Sequence, residues 1–411
     1  MKIAEHPFES FRPQPADPIF GLMAQFQADS RTDKVNLGIG MYYNEAGELP
    51  ILRSVRLAGE SLREAEHASR YLPMAGYADY CHAAQTLVFG GDDNIYPGCV
   101  ATIQTLGGTG ALRIGAEVLK WNFPEAEVWI SDPGWDNHST IFTNAGFKVQ
   151  RYPYLENEAD SVDFAAMYAC LERLPSHSIV LLHACCHNPS GADLSRAQWL
   201  QLAELVSDRG LIPFFDFAYQ GFAEGIDEDA YAIRLMAEMD IAFVVANSFS
   251  KNFALYGERC GALGFYCQNE RQARMALGQM EHAVRGNYSN PPLHGARIVA
   301  CILNDAELNK LWRAEVDGMR KRIQSVRRRF ADALSRNAAG LDFNHLHQRH
   351  GMFVCSGLSP TEVVDIRSQS GIYLADTGRL CLAGLNQSNV DLVAEAILKI
   401  IGKRSCKIRN V

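Results

Sequence analysis

The middle of the chain alternates between short apolar runs and longer segments with helical spacing. The runs are rich in β-branched residues and are bounded by turn-forming residues, which is typical of buried strands. Helical patterns such as Thr109–Trp121 and Arg196–Val206 lie between them. Because apolar strands that alternate with helices build a mostly parallel sheet covered on both faces, the pattern predicts an α/β fold. The candidate strands are Val100–Gln104, Val128–Ser131, Ile179–His183, Ile212–Phe215, Phe243–Asn247 and Gly261–Tyr266.

After about Pro292 the chain becomes predominantly helical, and its one dense basic stretch lies there. Between Arg313 and Arg329 the apolar residues recur with the spacing of one helix face, which indicates an amphipathic helix with a basic, solvated face. Basic residues elsewhere are scattered, and the net charge is −8. This distribution argues against a nucleic-acid-binding protein.

Two domains are predicted. Short strand-like pieces around Gly351–Ser356 and Arg379–Ala383 follow the basic helix. We predict a large domain over residues 50–320 and a smaller α+β domain over residues 321–411. Residues 1–49 would supply an N-terminal arm and then join the small domain.

Composition limits the class of protein. A chain of 411 residues with 47% hydrophobic content can bury a large core. Eleven cysteines without repeated spacing do not form the framework of a disulfide-rich secreted domain. The first residues lack the pattern of a secretory signal, and no apolar stretch is long enough to span a bilayer. We therefore expect a cytoplasmic protein without a membrane or nucleic-acid partner.

One lysine lies among groups that suit an anion. Ile241–Asn247 is predicted to be a buried strand, and Lys251 comes just after it, with Ser248, Ser250 and Arg259 nearby. In α/β sheets, ligands bind beyond the carboxyl ends of the strands. Two hydroxyls and a guanidinium suit a phosphate, and a partly desolvated lysine beside a phosphate suggests a Schiff base to pyridoxal phosphate. Taken alone, the segment also fits a surface lysine near a strand end.

A glycine-rich turn offers a second part of such a site. Residues 105–112 follow a predicted strand and open a helix, and Gly108 and Thr109 lie at its start. Glycines let the backbone approach an anion, and N–H groups at a helix N-terminus can bind it. A dinucleotide-binding turn is the nearest rival, but the G-x-G-x-x-G spacing is absent.

Two further residues suit a flat, cationic ring. Asp216 ends a strongly apolar strand, where a carboxylate is costly unless it meets a cation such as a pyridinium nitrogen. Tyr219 follows at a distance that allows donation to a ring oxygen. Asp216 also fits the N-cap of a following helix. Trp135, in a loop after a strand, could stack on the ring or belong to the core.

The turn at residues 187–191 follows another buried strand and would hold the Asn188 amide at the sheet edge. His183, Cys185, Cys186 and His187 lie beside it and raise the question of a metal site. Adjacent cysteines do not readily ligate one ion together, and no second pair has the spacing of a zinc site. We therefore predict no metal.

Together these motifs resemble one family, the class I aspartate and aromatic amino acid aminotransferases of the type I pyridoxal phosphate fold. The resemblance runs from Ala16 near the start to Arg379 near the end. The motifs that carry it are Val35-Asn-Leu-Gly-Ile-Gly40, Cys185-Cys-His-Asn-Pro189, Ser248-Phe-Ser-Lys-Asn252 and Ser289-Asn-Pro-Pro292. It implies a transaminase that uses pyridoxal 5'-phosphate.

The resemblance also implies roles for individual residues. Lys251 would be the Schiff-base lysine and proton shuttle, Asp216 the partner of the ring nitrogen, and Tyr219 a further catalytic residue. His138 and His183 would support them. The implied cofactor contacts, besides these three, are Gly108, Thr109, Trp135, Asn188, Ser248, Ser250, Arg259 and Tyr71 of the neighbouring subunit.

Substrate contacts follow in the same way. Arg379 would clamp the α-carboxylate, with help from the Gly40 backbone, Trp135 and Asn188. Arg285 would cross a dimer interface to meet a side-chain carboxylate. Because each site would borrow residues from the neighbouring subunit, the resemblance implies a homodimer.

Substrate preference is divided between two branches of the family. The residues after position 40 are large and apolar, as in the aromatic branch, whereas Thr109 and Asn290 look like the aspartate branch. We expect an enzyme that uses Tyr and Phe as well as aspartate and glutamate, with 2-oxo acids such as 2-oxoglutarate as acceptors. The alternative is a strict aspartate aminotransferase. A lyase or decarboxylase on the same fold, and a non-catalytic binding module, are the other classes considered.

Overall fold

The computed structural model describes residues 8, 11–12, 17–65, 68, 70–90, 98–155, 161–337 and 343–408, with side chains as far as residue 402. The predicted N-terminal arm covers the residues up to about Pro18, and most of these lie outside the described residues. Among the described residues, no helix is both long enough and apolar enough to cross a membrane.

Strands and helices alternate through the first two thirds of the described chain. The strands are β1 (Val35–Asn36), β2 (Val100–Leu106), β3 (Glu127–Asp132), β4 (Lys148–Pro153), β5 (Ile179–His183), β6 (Ile212–Phe217), β7 (Phe243–Ser248), β8 (Cys260–Tyr266), β9 (Phe353–Cys355), β10 (Ile372–Tyr373) and β11 (Arg379–Cys381). The α-helices are α1 (Pro18–Ala28), α2 (Arg53–Glu64), α3 (Ala78–Phe89), α4 (Gly107–Asn122), α5 (Asp136–Asn144), α6 (Phe164–Leu171), α7 (Arg196–Arg209), α8 (Tyr231–Glu238), α9 (Glu270–Asn287), α10 (His294–Asn304), α11 (Ala306–Asn337), α12 (Pro360–Ser370) and α13 (Val390–Ile408).

A seven-stranded sheet in the order β2-β8-β7-β6-β5-β3-β4 forms the centre of the protein. Strand β8 is antiparallel to both of its neighbours, and the other pairs are parallel. All strands except β8 therefore end at the same edge of the sheet. The predicted α/β fold class is confirmed.

Both faces of this sheet are buried, and alternate residues of each strand enter different cores. Phe214 and Val244 pack with α4 on one face, while Phe215 and Val245 pack into the larger cluster on the other. Successive side chains of a strand point to opposite faces, and both faces are buried here. Most positions are therefore apolar, and the strands appear in the sequence as continuous apolar runs. Each fully buried Phe contributes about 2–3 kcal/mol through burial.

A third core joins the two ends of the described chain. Val35 and Leu37 share it with apolar residues between 326 and 400. Strand β1 pairs in parallel with β10, and β9 pairs antiparallel with β11. The segment before residue 49 thus packs with the C-terminal part, while the predicted domain bounds themselves stay a prediction.

Strand β4 was absent from the sequence-based prediction, and its position explains why. It lies at the edge of the sheet beside β3, and Lys148, Gln150 and Arg151 are partly or fully exposed. An edge strand with charged residues shows no apolar run. The long basic helix was predicted, but α11 extends beyond both of its expected ends.

Candidate active site

Several of the predicted site residues lie where the strands of the large sheet end. Lys251 follows β7, Asp216 lies near the end of β6, Asn188 follows β5, and Gly107 follows β2. Because these strands run in one direction, their carboxyl ends meet at one edge. Residues far apart in sequence thus share one crevice, as expected for an α/β fold.

An anion-binding cup forms at the start of α4. Gly107 has a φ of +66°, and a Cβ placed there would lie 2.5 Å from Nη2 of Arg259. Nη1 of Arg259 donates to Oγ of Ser250 at 3.4 Å, and Ser248 donates to the same oxygen at 3.2 Å. No side chain of the described residues caps α4, so the N–H groups near Gly108 remain available. This set of donors fits a phosphate.

Asp216 is buried and paired with a histidine. Its Oδ2 accepts a hydrogen bond from Nε2 of His138 at 2.8 Å, and the ring of His183 lies 5.3 Å from that of His138. Burial opposes ionisation of Asp216, but the hydrogen bond and charge of His138 hold its pKa below the usual value. Burial lowers the pKa of His183 to about 4, so His183 is neutral at pH 7. The pair keeps a carboxylate charged inside the protein.

Asp216 does not cap a helix. Its Oδ2 is engaged by His138, and Oδ1 has no hydrogen-bond partner within the described chain. An ionised carboxylate with one oxygen unengaged suits a cationic ring nitrogen. The residue types and their burial therefore fit the pyridinium of the cofactor.

Lys251 faces the ring of Tyr219, with Nζ 5.0 Å from the ring centroid. Burial lowers the pKa of the Lys251 ammonium below its ordinary value, with Asp216 opposing this effect and Arg259 and Arg379 adding to it. Burial also raises the pKa of Tyr219 far above its usual value, so its hydroxyl stays protonated. The lysine is thus closer to its neutral, nucleophilic form than a surface lysine would be.

Arg379 begins β11 and contacts the turn that carries Asn188. Its Nη1 donates to Oδ1 of Asn188 at 3.2 Å, and its Nη2 donates to the Gly38 carbonyl at 3.0 Å. The guanidinium lies 4.5 Å from the centroid of the Phe353 ring. A cleft of about 380 Å³ opens beside it and is lined by Asn188 and Trp135 as well. A buried guanidinium at a cleft suits a carboxylate.

Phe353 was not predicted as part of the site. It also packs edge-on against Tyr219, with the ring centroids 6.0 Å apart. A Cβ at Gly40 would lie 2.6 Å from the Phe353 ring, so glycine at this position lets the aromatic ring sit beneath Arg379. The strand-like piece after Gly351 was the only signal for it, and that signal did not reveal the long-range contact.

Tyr71 and Arg285 lie apart from the other site residues. Tyr71 is 93% exposed, and Arg285 is exposed on the last turn of α9. Arg285 donates to Oγ of Ser289 at 2.6 Å and has no carboxylate partner within the described chain. Their predicted role across a dimer interface stays a prediction.

Fold and site together define an α/β enzyme with a partly buried lysine near an anion cup. The family model for aminotransferase class I and II matches residues 32–397. The chain therefore belongs to the class I and II aminotransferases, as the resemblance implied, and is a transaminase by family. That family depends on pyridoxal phosphate.

Relatives of both specificities are similar to the chain. It is 49% identical over 387 residues to the aromatic-amino-acid aminotransferase of Escherichia coli (strain K12), covering 94% of this chain and 98% of the relative. It is 44% identical over 395 residues to an aspartate aminotransferase of Pseudomonas aeruginosa, covering 96% and 99%.

A solved structure shows the same fold. The aromatic-amino-acid aminotransferase from Burkholderia pseudomallei, covalently bound to pyridoxal phosphate, matches with a TM-score of 0.93 at 45% identity, covering 96% of this chain and 99% of the other.

Proposed function

We propose that this chain uses pyridoxal phosphate to move amino groups between tyrosine, phenylalanine, aspartate or glutamate and 2-oxo acids such as 2-oxoglutarate. The observation that carries the proposal is the position of Lys251. Its amine faces the Tyr219 ring, and burial lowers its pKa while the charges of Asp216 and Arg259 act on it from the pair and the cup. The similarity to relatives named for both aromatic amino acids and aspartate supports the substrate range.

The residues would hold the cofactor by its separate chemical groups. Asp216 would bind the ring nitrogen, Asn188 and Tyr219 would donate to the ring oxygen, and Trp135 would cover one face. When bound, pyridoxal phosphate supplies an electron sink for the pair released from the Cα–H bond. The phosphate would contact Gly108, Thr109, Ser248, Ser250, Arg259 and Tyr71 of the neighbouring subunit.

Lys251 would move the proton in this reaction. With its pKa lowered, Nζ is more often neutral near pH 7 and able to accept the Cα proton of the amino acid. The charge of Asp216 is retained because His138 stabilises it. Tyr219 keeps its hydroxyl proton and therefore acts as a donor.

Arg379 would hold the substrate α-carboxylate, with Asn188 beside it and the backbone at Gly40 nearby. Its guanidinium is itself held by two hydrogen bonds and the Phe353 ring, so its direction is defined before substrate binds. Such preorganisation orients the Cα–H bond rather than merely adding affinity.

Arg285 would select dicarboxylates across the interface of a homodimer. Its described partner is the neutral hydroxyl of Ser289, so its charge is available to a substrate carboxylate. Gly286 beside it has open space around its Cα, which leaves room for the arginine to move aside for an aromatic side chain. The second candidate is a strict aspartate aminotransferase, which Arg285 itself favours.

The test is a half-reaction with cofactor-loaded protein and a single amino acid. L-Phenylalanine or L-aspartate is added alone, and the absorbance of the bound cofactor is followed. Conversion by both at comparable rates supports the dual function, whereas conversion by aspartate alone supports the second candidate. Conversion by neither overturns the proposal. The Lys251→Ala variant is the control, because it should convert neither substrate.

A further inference from the structure

Two segments of the chain meet closely behind the carboxylate-binding arginine. Residues 186–191 form the turn that carries Asn188, and residues 349–353 lead into β9 and carry Phe353. We call this contact the seam. The His350 N–H donates to the Gly191 carbonyl at 2.7 Å. Gly191 has a φ of +68°, and a Cβ there would lie 2.6 Å from the His350 carbonyl oxygen.

One carboxylate joins both sides of the seam. Asp193 accepts the backbone N–H of Cys186 at 2.8 Å and that of His187 at 2.9 Å. Its Oδ2 also meets Nδ1 of His350 at 3.2 Å. The Asp193 side chain is 13% exposed and the His350 side chain 34%, so the carboxylate side of this contact is the better shielded. Asp193 therefore holds the start of the Asn188 turn and the His350 ring at once.

Both sides of the seam contact Arg379. Asn188, on the turn, accepts a hydrogen bond from the guanidinium. Phe353, three residues after His350, lies against the guanidinium plane. A structural change in the seam would therefore alter two contacts of Arg379, the hydrogen bond to Asn188 and the packing on Phe353.

We infer that His350 is a positioning residue whose protonated ring, paired with Asp193, draws the two sides of the seam together and strengthens carboxylate binding by Asn188 and Arg379. The inference rests on the proposed function, because it gives Arg379 the substrate carboxylate. It adds a titrating residue outside the crevice to the groups that control substrate affinity.

The charges around His350 favour its protonated form. The hydrogen bond to Asp193 is the largest influence and raises the pKa of His350 above its ordinary 6.5, against the effect of burial. Glu224 also raises it, while Arg327 lowers it. Arg327 is buried, and its Nη2 donates to the carbonyl of Gly351, the residue after His350 in the seam.

Other charged or titratable groups also lie near the seam. The Arg196 guanidinium lies 3.9 Å from the Glu224 carboxylate. Arg349 precedes His350 in the seam. Burial raises the pKa of the Cys186 thiol to about 12, so it carries no charge near neutral pH.

The direction of the pH effect follows from the raised pKa. Because the pKa of His350 is raised in the folded protein, the stabilisation from its protonated pairing is present at pH values below the ordinary 6.5 and is lost as the pH rises through the raised value. Carboxylate affinity should therefore weaken over that same interval. By linkage, a bound carboxylate must raise the pKa of His350 in return.

The test measures this reciprocity in the cofactor-loaded protein. The probe is 3-indolepropionic acid, an aromatic carboxylate without an amino group. The pKa of His350 is followed by NMR of histidine-labelled protein with and without saturating probe, and the signal is assigned with His350→Asn. We expect an upward shift of about half a unit, which equals about a threefold change in affinity. Exposed His282 on α9 serves as the internal control.

The dissociation constant of the probe from pH 6 to 9 gives a second readout. It should rise about threefold more in the wild type than in His350→Asn, and Asp193→Asn should behave like His350→Asn. An unchanged pKa of His350 on binding, or equal pH profiles in wild type and His350→Asn, would overturn the inference. Failure of the proposed function would look different, because the wild type would then show no half-reaction with any amino acid.

Discussion

Nε2 of His138 lies 2.8 Å from Oδ2 of Asp216, although 78 residues separate them in the chain. The two side chains are almost fully buried, and the contact is made between the first helix after β3 and the end of β6. This pair determines whether a negative charge persists at the base of the crevice.

His138→Phe should move the acid limb of kcat/KM to higher pH. The pKa of Asp216 lies below the usual 3.8. Its carboxylate is therefore charged at every higher pH and becomes neutral only as the pH falls through the lowered value. Without His138, the effect of burial is opposed only by weaker charges, so the pKa of Asp216 should rise. His138→Asn retains a donor and should shift less. Identical acid limbs in the wild type and His138→Phe would contradict this.

Arg379→Lys should raise KM for phenylalanine and aspartate alike. A lysine cannot reproduce the two directed hydrogen bonds of the guanidinium to Asn188 and Gly38, nor its planar contact with Phe353. We expect a loss of about 2–3 kcal/mol, or roughly 30- to 150-fold in kcat/KM. Steady-state kinetics with both substrates measure it. A loss with only one substrate would show that Arg379 does not hold the shared α-carboxylate.

Arg285→Ala should separate the two substrate classes. Its guanidinium is exposed at the end of α9 and has only Ser289 as a hydrogen-bond partner within the described chain. We expect kcat/KM for aspartate to fall by about 10- to 100-fold, whereas that for phenylalanine should change less than about threefold. Arg274→Ala, on the exposed face of the same helix, is the matched control. Equal losses of kcat/KM for both substrates would show that Arg285 does not distinguish between them.

Gly107→Ala should weaken cofactor binding. Gly107 adopts a left-handed φ, and an added methyl would press on the Arg259 guanidinium. Displacement of the guanidinium would weaken a charged hydrogen bond to the phosphate, so we expect about a tenfold rise in the dissociation constant of pyridoxal phosphate. Gly278→Ala on α9 has open space and should leave binding unchanged. Unaltered affinity in Gly107→Ala would mean that the cup does not hold the phosphate.

The buried strands and the residues just beyond them could be predicted from sequence. Runs such as Ile179–His183 have the same bounds in the structure, because both faces of the sheet are covered and every residue of the strand is apolar or at the site. Strand β4 could not be predicted in this way because its edge position leaves charged residues in contact with solvent.

Contacts between segments that are distant in sequence also could not be predicted. The pairing of His138 with Asp216 and the packing of Phe353 beneath Arg379 depend on tertiary structure rather than on local pattern. The family resemblance placed most of these residues near the site, but the hydrogen bond of Asp193 to His350 has no local sequence signal.

The pairing of β9 with β11 has a mechanical consequence. Cys355 lies opposite Arg379 and Phe353 lies opposite Cys381, so the arginine and its aromatic support belong to one small ladder. Lys251, Asp216 and the anion cup are built instead on the edge of the large sheet. On the proposed function, a displacement of the small ladder would change the contacts of Arg379 with the substrate without moving the groups proposed to hold the cofactor. The proposed substrate arginine and the proposed cofactor contacts thus lie on separate β-structures of the fold.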